Sequence, residues 1–529
     1  RCPVCGAVRE VFTKVEEGMI VHTNTPDIIE ARRTILDLII SNHHMECLTC
    51  VRDGNCELQD LARKFNMTEI KFEGEKIDYE IDDKSPSIVK DLNKCVLCRR
   101  CVGACKKVQE IGAIDSMNRG FDSCVSTATG ASLNDVDCTF CGQCIEACPV
   151  GALREKDSTE EVWAKIRDEE TITIVQTAPA VRVALGEEFG MPVGTSVEGK
   201  MASALRLIGF DKVFDTNTGA DFTIMEEANE FLERIKNGGV MPMMTSCCPA
   251  WIRFAEKNFP DQLDHLSSCK SPHEMFGAII KSYYAKKFNI DSSKIYVVSV
   301  MPCTAKKYEA VRPEMENDGL RNVDAVLTTR ELARMIKQAH IEFTGLEDSG
   351  FDDPMGEATG AAAIFGTTGG VMEAALRTAA DVVEGQDLKE IEYKAVRGEQ
   401  GIKKATIEIA GKKLNVVVAS GLKNARKIMN EIRSGEADYQ FVEIMACPGG
   451  CVMGGGQPIK NSKTRATVDV RKLRSDCIYS IDEKSVIRKS HQNPALQEIY
   501  KDFFIRPGSE KAHKYLHTHY KKQEKYNLD

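Results

Sequence analysis

Beyond about residue 156 the chain alternates between two hydrophobic patterns. Short apolar, β-branched runs, TITIVQ (171–176), KIYVVSVM (294–301), KLNVVVAS (413–420) and YQFVEIM (439–445), read as strands. Between them lie stretches of helical apolar spacing. Such alternation predicts an α/β domain whose functional loops sit at the carboxyl ends of its strands. The first third is built differently. DIIEARRTILDLII (27–40), with Pro26 near its start, has the apolar spacing of a helix. Residues 41–85 carry a compact His/Cys cluster and little material for a core, and 86–155 contain two cysteine quartets that repeat one motif. The last stretch, 471–529, ending AHKYLHTHYKKQEKYNLD, reads as a helical, basic, appended segment after a domain spanning 156–470.

At 529 residues the chain exceeds what one core organises, and roughly three to five units are expected. A formal net charge of -9 argues against a nucleic-acid partner, which would require a basic face. No apolar run approaches the roughly 20 residues that span a bilayer, and nothing resembles a signal peptide, so the expected compartment is cytoplasmic. The chain starts at Arg1 rather than Met, and residues upstream of it are expected. Cysteine changes the picture. There are 21, mostly in tight CxxC groups rather than at distances that disulfides staple, and in a reducing compartment such groups mean metal.

Cys95, Cys98, Cys101 and Cys105 form C-x2-C-x2-C-x3-C; Cys138, Cys141, Cys144 and Cys148 repeat it, followed by Pro149. In this spacing three thiolates grip one 4Fe-4S cubane from a tight loop while the fourth crosses to the other. Cys95, Cys98, Cys101 and Cys148 are therefore assigned to one cluster, and Cys138, Cys141, Cys144 and Cys105 to the second. Zinc would use separate CxxC pairs, and two full repeats favour iron-sulfur. Upstream, His43, Cys47, Cys50 and Cys56 give H-x3-C-x2-C-x5-C. Alone it fits zinc or iron-sulfur; directly before a two-cubane module it reads as a third relay cluster. His44 is a competing imidazole. Cys2 and Cys5 form a lone CxxC, the remnant of a 2Fe-2S ferredoxin-like domain ending near residue 40. A plant-type cluster needs four cysteines and none lies between Cys5 and Cys47, so a cluster there stays open.

Three loops in the C-terminal half follow apolar runs: TSCCPAW (245–251), MPCTAKKYE (301–309) and EIMACPGGCVMGGGQP (443–458). They deliver Cys248, Cys303, Cys447 and Cys451 from three strand ends, enough for a buried cubane with no CxxC loop. In this order, across some 280 residues, they resemble the signature loops of the iron-iron hydrogenases, and the preceding cluster modules match in order too. The resemblance implies an α/β catalytic domain of two lobes around a buried cluster, preceded by small α+β ferredoxin-like iron-sulfur domains. It also implies the H-cluster, a 4Fe-4S cubane joined through Cys451 to a two-iron group bearing CO, CN and a dithiolate bridge, at which protons, electrons and H2 interconvert. Gly454, Gly455 and Gly456 would let the backbone approach that bulky group.

By the same resemblance Lys306 hydrogen-bonds a cyanide, Met301 and Met445 form a soft lining, and Ala178, Pro179 and Ser271 make further contacts. For His273 a structural role and a contact are both open. Cys247 resembles the terminal proton donor. Glu227, Glu230 and Arg234 share one helix face in IMEEANEFLERI and, with Ser267, match the family's proton relay to the surface. The glycine-rich FGTTGGVMEAALR (365–377) lacks the P-loop lysine and the Rossmann fingerprint, and predicts a tight turn packing a helix beside the active site. Cys124, Cys269 and Cys477 read as structural. With no defensible flavin or nicotinamide motif, the electron partner is expected to be another protein: an NADH-oxidising flavoprotein, a formate dehydrogenase with ferredoxin-like subunits, or ferredoxin. Two rivals share the scaffold. A hydrogen-sensing regulator would usually lose the donor cysteine, and an iron-sulfur assembly protein would lack Lys306 and the three glycines.

Overall fold

A computed structural model describes residues 16–356, 358–388, 391–398 and 400–527; Cys2 and Cys5 lie outside the described residues. Two four-stranded sheets organise the C-terminal part. In the first, Ala325–Thr328, Ile295–Met301, Ile172–Thr177 and Lys212–Asp215 run parallel in that spatial order. Nearly every residue of the two central strands is buried, as a parallel sheet covered by helices requires. In the second, Lys412–Ser420, Phe441–Met445 and Met243–Met244 are parallel, and Ile402–Ile409 is paired antiparallel at the edge. That edge strand alternates buried and exposed positions, because only one of its faces is covered.

The four predicted strands are present, each displaced by a residue or two. Four others went unread because they are short or half exposed: Lys212–Asp215, Met243–Met244, Ala325–Thr328 and Ile402–Ile409. Helix Thr216–Asn237 starts on the Asp215 carboxylate, which accepts from the Asn217 N–H, and 13 of its 22 residues are buried. Fully buried Val, Ile and Phe side chains of this kind contribute about 1.5–3 kcal/mol each.

Helix Pro26–Ser41 forms as the periodicity predicts, with Pro26 at its first turn. Residues 86–155 form a small α+β unit held by two antiparallel pairs, Ile88–Lys90 with Leu153–Glu155 and Asp115–Met117 with Cys124–Ser126. This unit shares its core with the catalytic domain: Ile88, Phe140, Ile145 and Val150 pack in one cluster with Trp251, Phe254, Val417 and Met429. Arg253 strengthens the joint. Its guanidinium lies 4.4 Å from the Phe140 ring centroid and 4.5 Å from that of Tyr308, and its Nε donates to the Cys138 carbonyl at 2.8 Å.

The C-terminal segment is strapped along the catalytic domain. Lys270 N–H donates to the Leu516 carbonyl, Thr518 N–H to Ser268, Gln523 N–H to Glu256 and Asn527 N–H to Asp135. No described helix is long and apolar enough to cross a membrane.

Candidate active site

The carboxyl ends of both sheets open on one cavity. From the first sheet, Met301 is followed by Pro302, Cys303 and Lys306, and Thr177 by Ala178 and Pro179. From the second, Met445 is followed by Ala446, Cys447 and Cys451, and the loop after Met244 supplies Cys247 and Cys248. All of these except Thr177 and Met244 line the cavity. The four predicted ligand cysteines thus converge, together with Cys247, Lys306, Met301, Met445, Ala178 and Pro179. Ser271 lies just behind the lining Pro272, its hydroxyl buried without a hydrogen-bond partner.

Three helices begin at this cavity with proline at their first position, at Pro179, Pro249 and Pro272. Proline preorganises a first turn, and the partial positive charge of helix N-termini favours an anionic occupant. The Ala178-Pro179, Cys248-Pro249 and Ser271-Pro272 steps were the unread sequence signal for this feature.

Among the described residues two trios, Glu230–Cys269–His517 and His273–Glu274–Glu309, bring three ligand atoms within 4.8 Å of one another. Burial pushes the thiols of Cys248, Cys303, Cys447 and Cys451 up, Cys303 to about 12, and neighbouring thiols add to the effect at the last three. Such thiols ionise when a metal takes the proton's place.

Lys306 is fixed from two sides, donating to the Cys247 carbonyl at 3.1 Å and to Glu309 Oε2 at 2.6 Å. Burial lowers its pKa, but the Glu309 carboxylate more than offsets this and holds it above the ordinary lysine value. Glu309, itself buried, is brought down to about 2 by Lys306 and His273. His273 lines the cavity, and its Nε2 lies 2.8 Å from Glu309; burial and then Lys306 lower its pKa to about 4. Glu309 was missed in the sequence, although its place three residues after Lys306 on one helix was the available signal.

The glycines need a correction. Gly454 lines the cavity, but a Cβ there would meet the Pro302 carbonyl oxygen at 2.2 Å. On Gly455 a Cβ would meet the Cys141 carbonyl oxygen and Gly142 Cα, both at 2.5 Å, and on Gly456 it would meet Thr328 at 2.9 Å. Their missing side chains admit neighbouring protein backbone and the Thr328 side chain, welding the third loop to the Cys141–Gly142 turn and to the first sheet. The 365–377 turn behaves as expected: Phe365 and Gly366 line the cavity, and Gly369 at φ +91° starts helix Gly370–Glu384.

Cys95, Cys98, Cys101 and Cys148 line one cavity of about 450 Å³. Cys105, Cys138, Cys141 and Cys144 are mutual neighbours: after burial, the Cys105 and Cys141 thiols raise Cys138, to about 12, and the Cys141, Cys138 and Cys105 thiols raise Cys144. A third cavity, about 570 Å³, is lined by His43, His44, Cys47, Cys50 and Cys56. The Nδ1 of His43 and the Nε2 of His44 are both buried without a hydrogen-bond partner, the latter 3.4 Å from Asp78. The sites are contiguous. Gly151 abuts the Cys50 sulfur three residues after Cys148, and Gln109 reaches from Cys141 Sγ at 3.8 Å to the Ala446 carbonyl beside Cys447 at 2.8 Å.

Toward the surface, helix Thr216–Asn237 presents the expected face. Glu227 is buried, with one carboxyl oxygen unpartnered; burial and then the Glu230 charge push it up to about 8. The Ser267 hydroxyl donates to Glu230 at 3.2 Å, and Arg234 donates to Glu230 at 2.6 and 3.0 Å. Burial, with the Glu227 charge second, raises the Cys247 thiol well above its ordinary value.

A cysteine-lined cavity between two sheets, joined through contiguous thiol sites to the far end of the chain, defines a multicentre iron-sulfur oxidoreductase. The family model of the iron only hydrogenase large subunit, C-terminal domain, matches residues 171–455, and that of the iron hydrogenase small subunit matches 468–523. Models of the NADH-ubiquinone oxidoreductase-G iron-sulfur binding region and of the NADH-quinone oxidoreductase subunit 3 ferredoxin-like domain match 32–71 and 85–154. The chain is 47% identical to NADP-reducing hydrogenase subunit HndD of Solidesulfovibrio fructosivorans over 97% of its own length and 88% of the relative's. It is 46% identical to Iron hydrogenase 1 of Clostridium pasteurianum, over 99% and 92%. A solved structure of FeFe-hydrogenase HydA1 from Chlamydomonas reinhardtii superposes with a TM-score of 0.62 at 40% identity, covering 70% of this chain and all of that one.

The chain belongs to the iron-iron hydrogenases. It is an enzyme that interconverts protons and electrons with dihydrogen, using an H-cluster and further 4Fe-4S clusters that relay electrons.

Proposed function

We propose that Cys248, Cys303, Cys447 and Cys451 ligate the cubane of the H-cluster and that the remaining cavity lining shapes the seat of its two-iron group. When bound, that group supplies the metal at which dihydrogen is split or formed. The chain's own part is to exclude water, fix charge and move protons. Met301, Met445, Ala178, Pro179 and Phe365 keep the seat apolar. Lys306 offers a charged N–H held by Glu309, suited to a cyanide nitrogen, and Ser271 offers a buried hydroxyl. The observation that carries the reading is the meeting of four thiols from three strand ends with a fifth, Cys247, on the same wall.

Cys247 holds the proton at its sulfur, and Glu227, Ser267, Glu230 and Arg234 continue the path outward. A carboxyl with a pKa of about 8 can both take and give a proton near neutral pH. Electrons enter through three relay sites: His43 with Cys47, Cys50 and Cys56; Cys95, Cys98 and Cys101 with Cys148; Cys138, Cys141 and Cys144 with Cys105. His44, which lines the same cavity, stays the competing imidazole. A further 2Fe-2S cluster at Cys2 and Cys5 remains part of the proposal. The partner is a separate redox subunit. The NADP-reducing relative favours a subunit that exchanges electrons with a nicotinamide nucleotide over a formate dehydrogenase, with ferredoxin as a second carrier. A cytoplasmic setting suits 19 described cysteines that are all free thiols. Retention of Cys247 at the cavity favours turnover over hydrogen sensing.

Infrared spectroscopy of anaerobically matured protein tests the reading. Carbonyl and cyanide bands are expected in the wild type and in Cys247→Ala, while hydrogen turnover of the variant falls by about 10²–10⁴, the range for loss of a positioned acid or base. Unchanged turnover removes Cys247 from the path, and absent bands in the wild type overturn the cluster assignment.

A further inference from the structure

The relay as read from the helix ends on Arg234, whose guanidinium keeps its proton at any physiological pH and so can hold Glu230 but cannot exchange with water. The same carboxyl has a second neighbour. Its Oε2 lies 3.0 Å from the Ser268 hydroxyl, and that hydroxyl lies 2.8 Å from Nδ1 of His517 in the C-terminal strap. Nε2 of His517 faces Glu226 at 3.0 Å, and Glu226 also accepts from the Tyr500 hydroxyl at 2.5 Å and the Gly508 N–H at 2.8 Å. A carboxylate accepts, so Nε2 carries the hydrogen and Nδ1 is left as an acceptor pointing at Ser268. The strap is locked here by backbone bonds on both sides of the Cys269–His517 bridge. His513, exposed, lies beside His517 with ring centroids 4.2 Å apart and the rings tilted by 42°.

We propose that His517 and Ser268 give the Glu230 end of the relay a titrating exit to solvent. The proton on the Glu230 carboxyl passes to Ser268 Oγ as the Ser268 hydroxyl proton passes to His517 Nδ1. The imidazolium so formed, held at Nε2 by Glu226, releases its Nδ1 proton to water at the 6% of its side chain that is exposed, which restores the acceptor facing Ser268. The reverse sequence delivers a proton for hydrogen evolution; one proton moves and no electron does. The titratable groups facing His517 are Glu226 and Glu230 from the long helix, Cys269 from the bridged strand, Tyr500, and the tail's own His513 and His519. The inference rests on the reading of Glu230 as a relay carboxyl.

The test uses the matured holoenzyme with a dye as electron partner, turnover being measured from pH 6 to 9 with infrared bands recorded for each variant. His517→Gln retains hydrogen bonding but cannot titrate, and is expected to lose about tenfold, less than a full acid–base deletion because other routes to Glu230 stay open. Its pH profile should differ in shape from that of the wild type. His517→Ala should be accelerated by millimolar imidazole, which leaves the wild type unaffected. A Gln variant with wild-type rate and profile, or an Ala variant indifferent to imidazole, overturns the proposal. Glu230→Gln separates the two readings. If it turns over normally the relay itself fails; if it is slow while His517→Gln is normal, only this exit fails.

Discussion

The two kinds of cysteine site in this molecule are assembled in opposite ways. In the ferredoxin-like unit three of the proposed ligands of each set lie within seven consecutive residues, Cys95–Cys101 and Cys138–Cys144, and only the fourth arrives from elsewhere. At the active site Cys248, Cys303 and Cys447 are separated by some 50 to 140 residues and meet because two parallel sheets aim their carboxyl ends at one cavity. A local loop can grip a cluster with little help from the fold; a fold-built site must be rigid before it can grip anything. The second design leaves room for the extra lining, Cys247, Lys306 and Met445, that a loop of seven residues could not supply.

The sharpest way to break this contrast is to delete one ligand of each kind. Cys447→Ala is expected to abolish turnover and the carbonyl and cyanide bands together, while Cys98→Ala keeps those bands and loses iron equivalent to about one cubane by metal analysis. Equal losses from the two variants would show that the sites depend on each other for assembly.

Next in size is Glu227→Gln, expected to lower turnover by about 10²-fold. It also has a stability signature. The folded-state pKa of about 8 lies above the usual glutamate value of 4.5, so the folded state binds the extra proton between these limits. The wild type therefore loses stability on this account as pH rises from about 5 to 8. In denaturant titrations the advantage of the Gln variant over wild type should widen across that window; a constant difference contradicts the raised pKa.

Gly455→Ala probes the weld between the two kinds of site. A Cβ 2.5 Å from the Cys141 carbonyl must push the loops apart, and a cost of about 1–3 kcal/mol is expected by chemical denaturation. Because the Cys141 loop then shifts, electron delivery from an external donor should slow more than hydrogen–deuterium exchange, which needs no long-range electron. The smallest effect is expected from Cys124→Ser. Cys124 and Cys95 line a common small cavity, yet Cys124 belongs to neither repeat, so iron content and turnover should stay within error.

The two cysteine quartets, the helix Pro26–Ser41, the four longer strands and the charged face Glu227–Glu230–Arg234 were legible in sequence because each is carried by spacing along a few residues. The short strand Lys212–Asp215 and the edge strand Ile402–Ile409 were not, since short or half-exposed strands take their stability from neighbours rather than from pattern. The glycine triplet was legible as a close approach but not as to what approaches: the Pro302 carbonyl, the Cys141–Gly142 turn and Thr328 come from three distant places.

The sequence by itself determined the metal chemistry, since thiols at fixed spacing and three ordered loops specify which atoms are offered. Only the tertiary structure decided who stands beside them. His273 comes from another helix to meet Glu309, and the C-terminal strap lays His517 against Ser268 and Glu226, more than 240 residues away in the chain. Such pairings are set by packing of both sheets and the strap around one long helix, and no local periodicity encodes a contact whose two halves come from opposite ends of the domain.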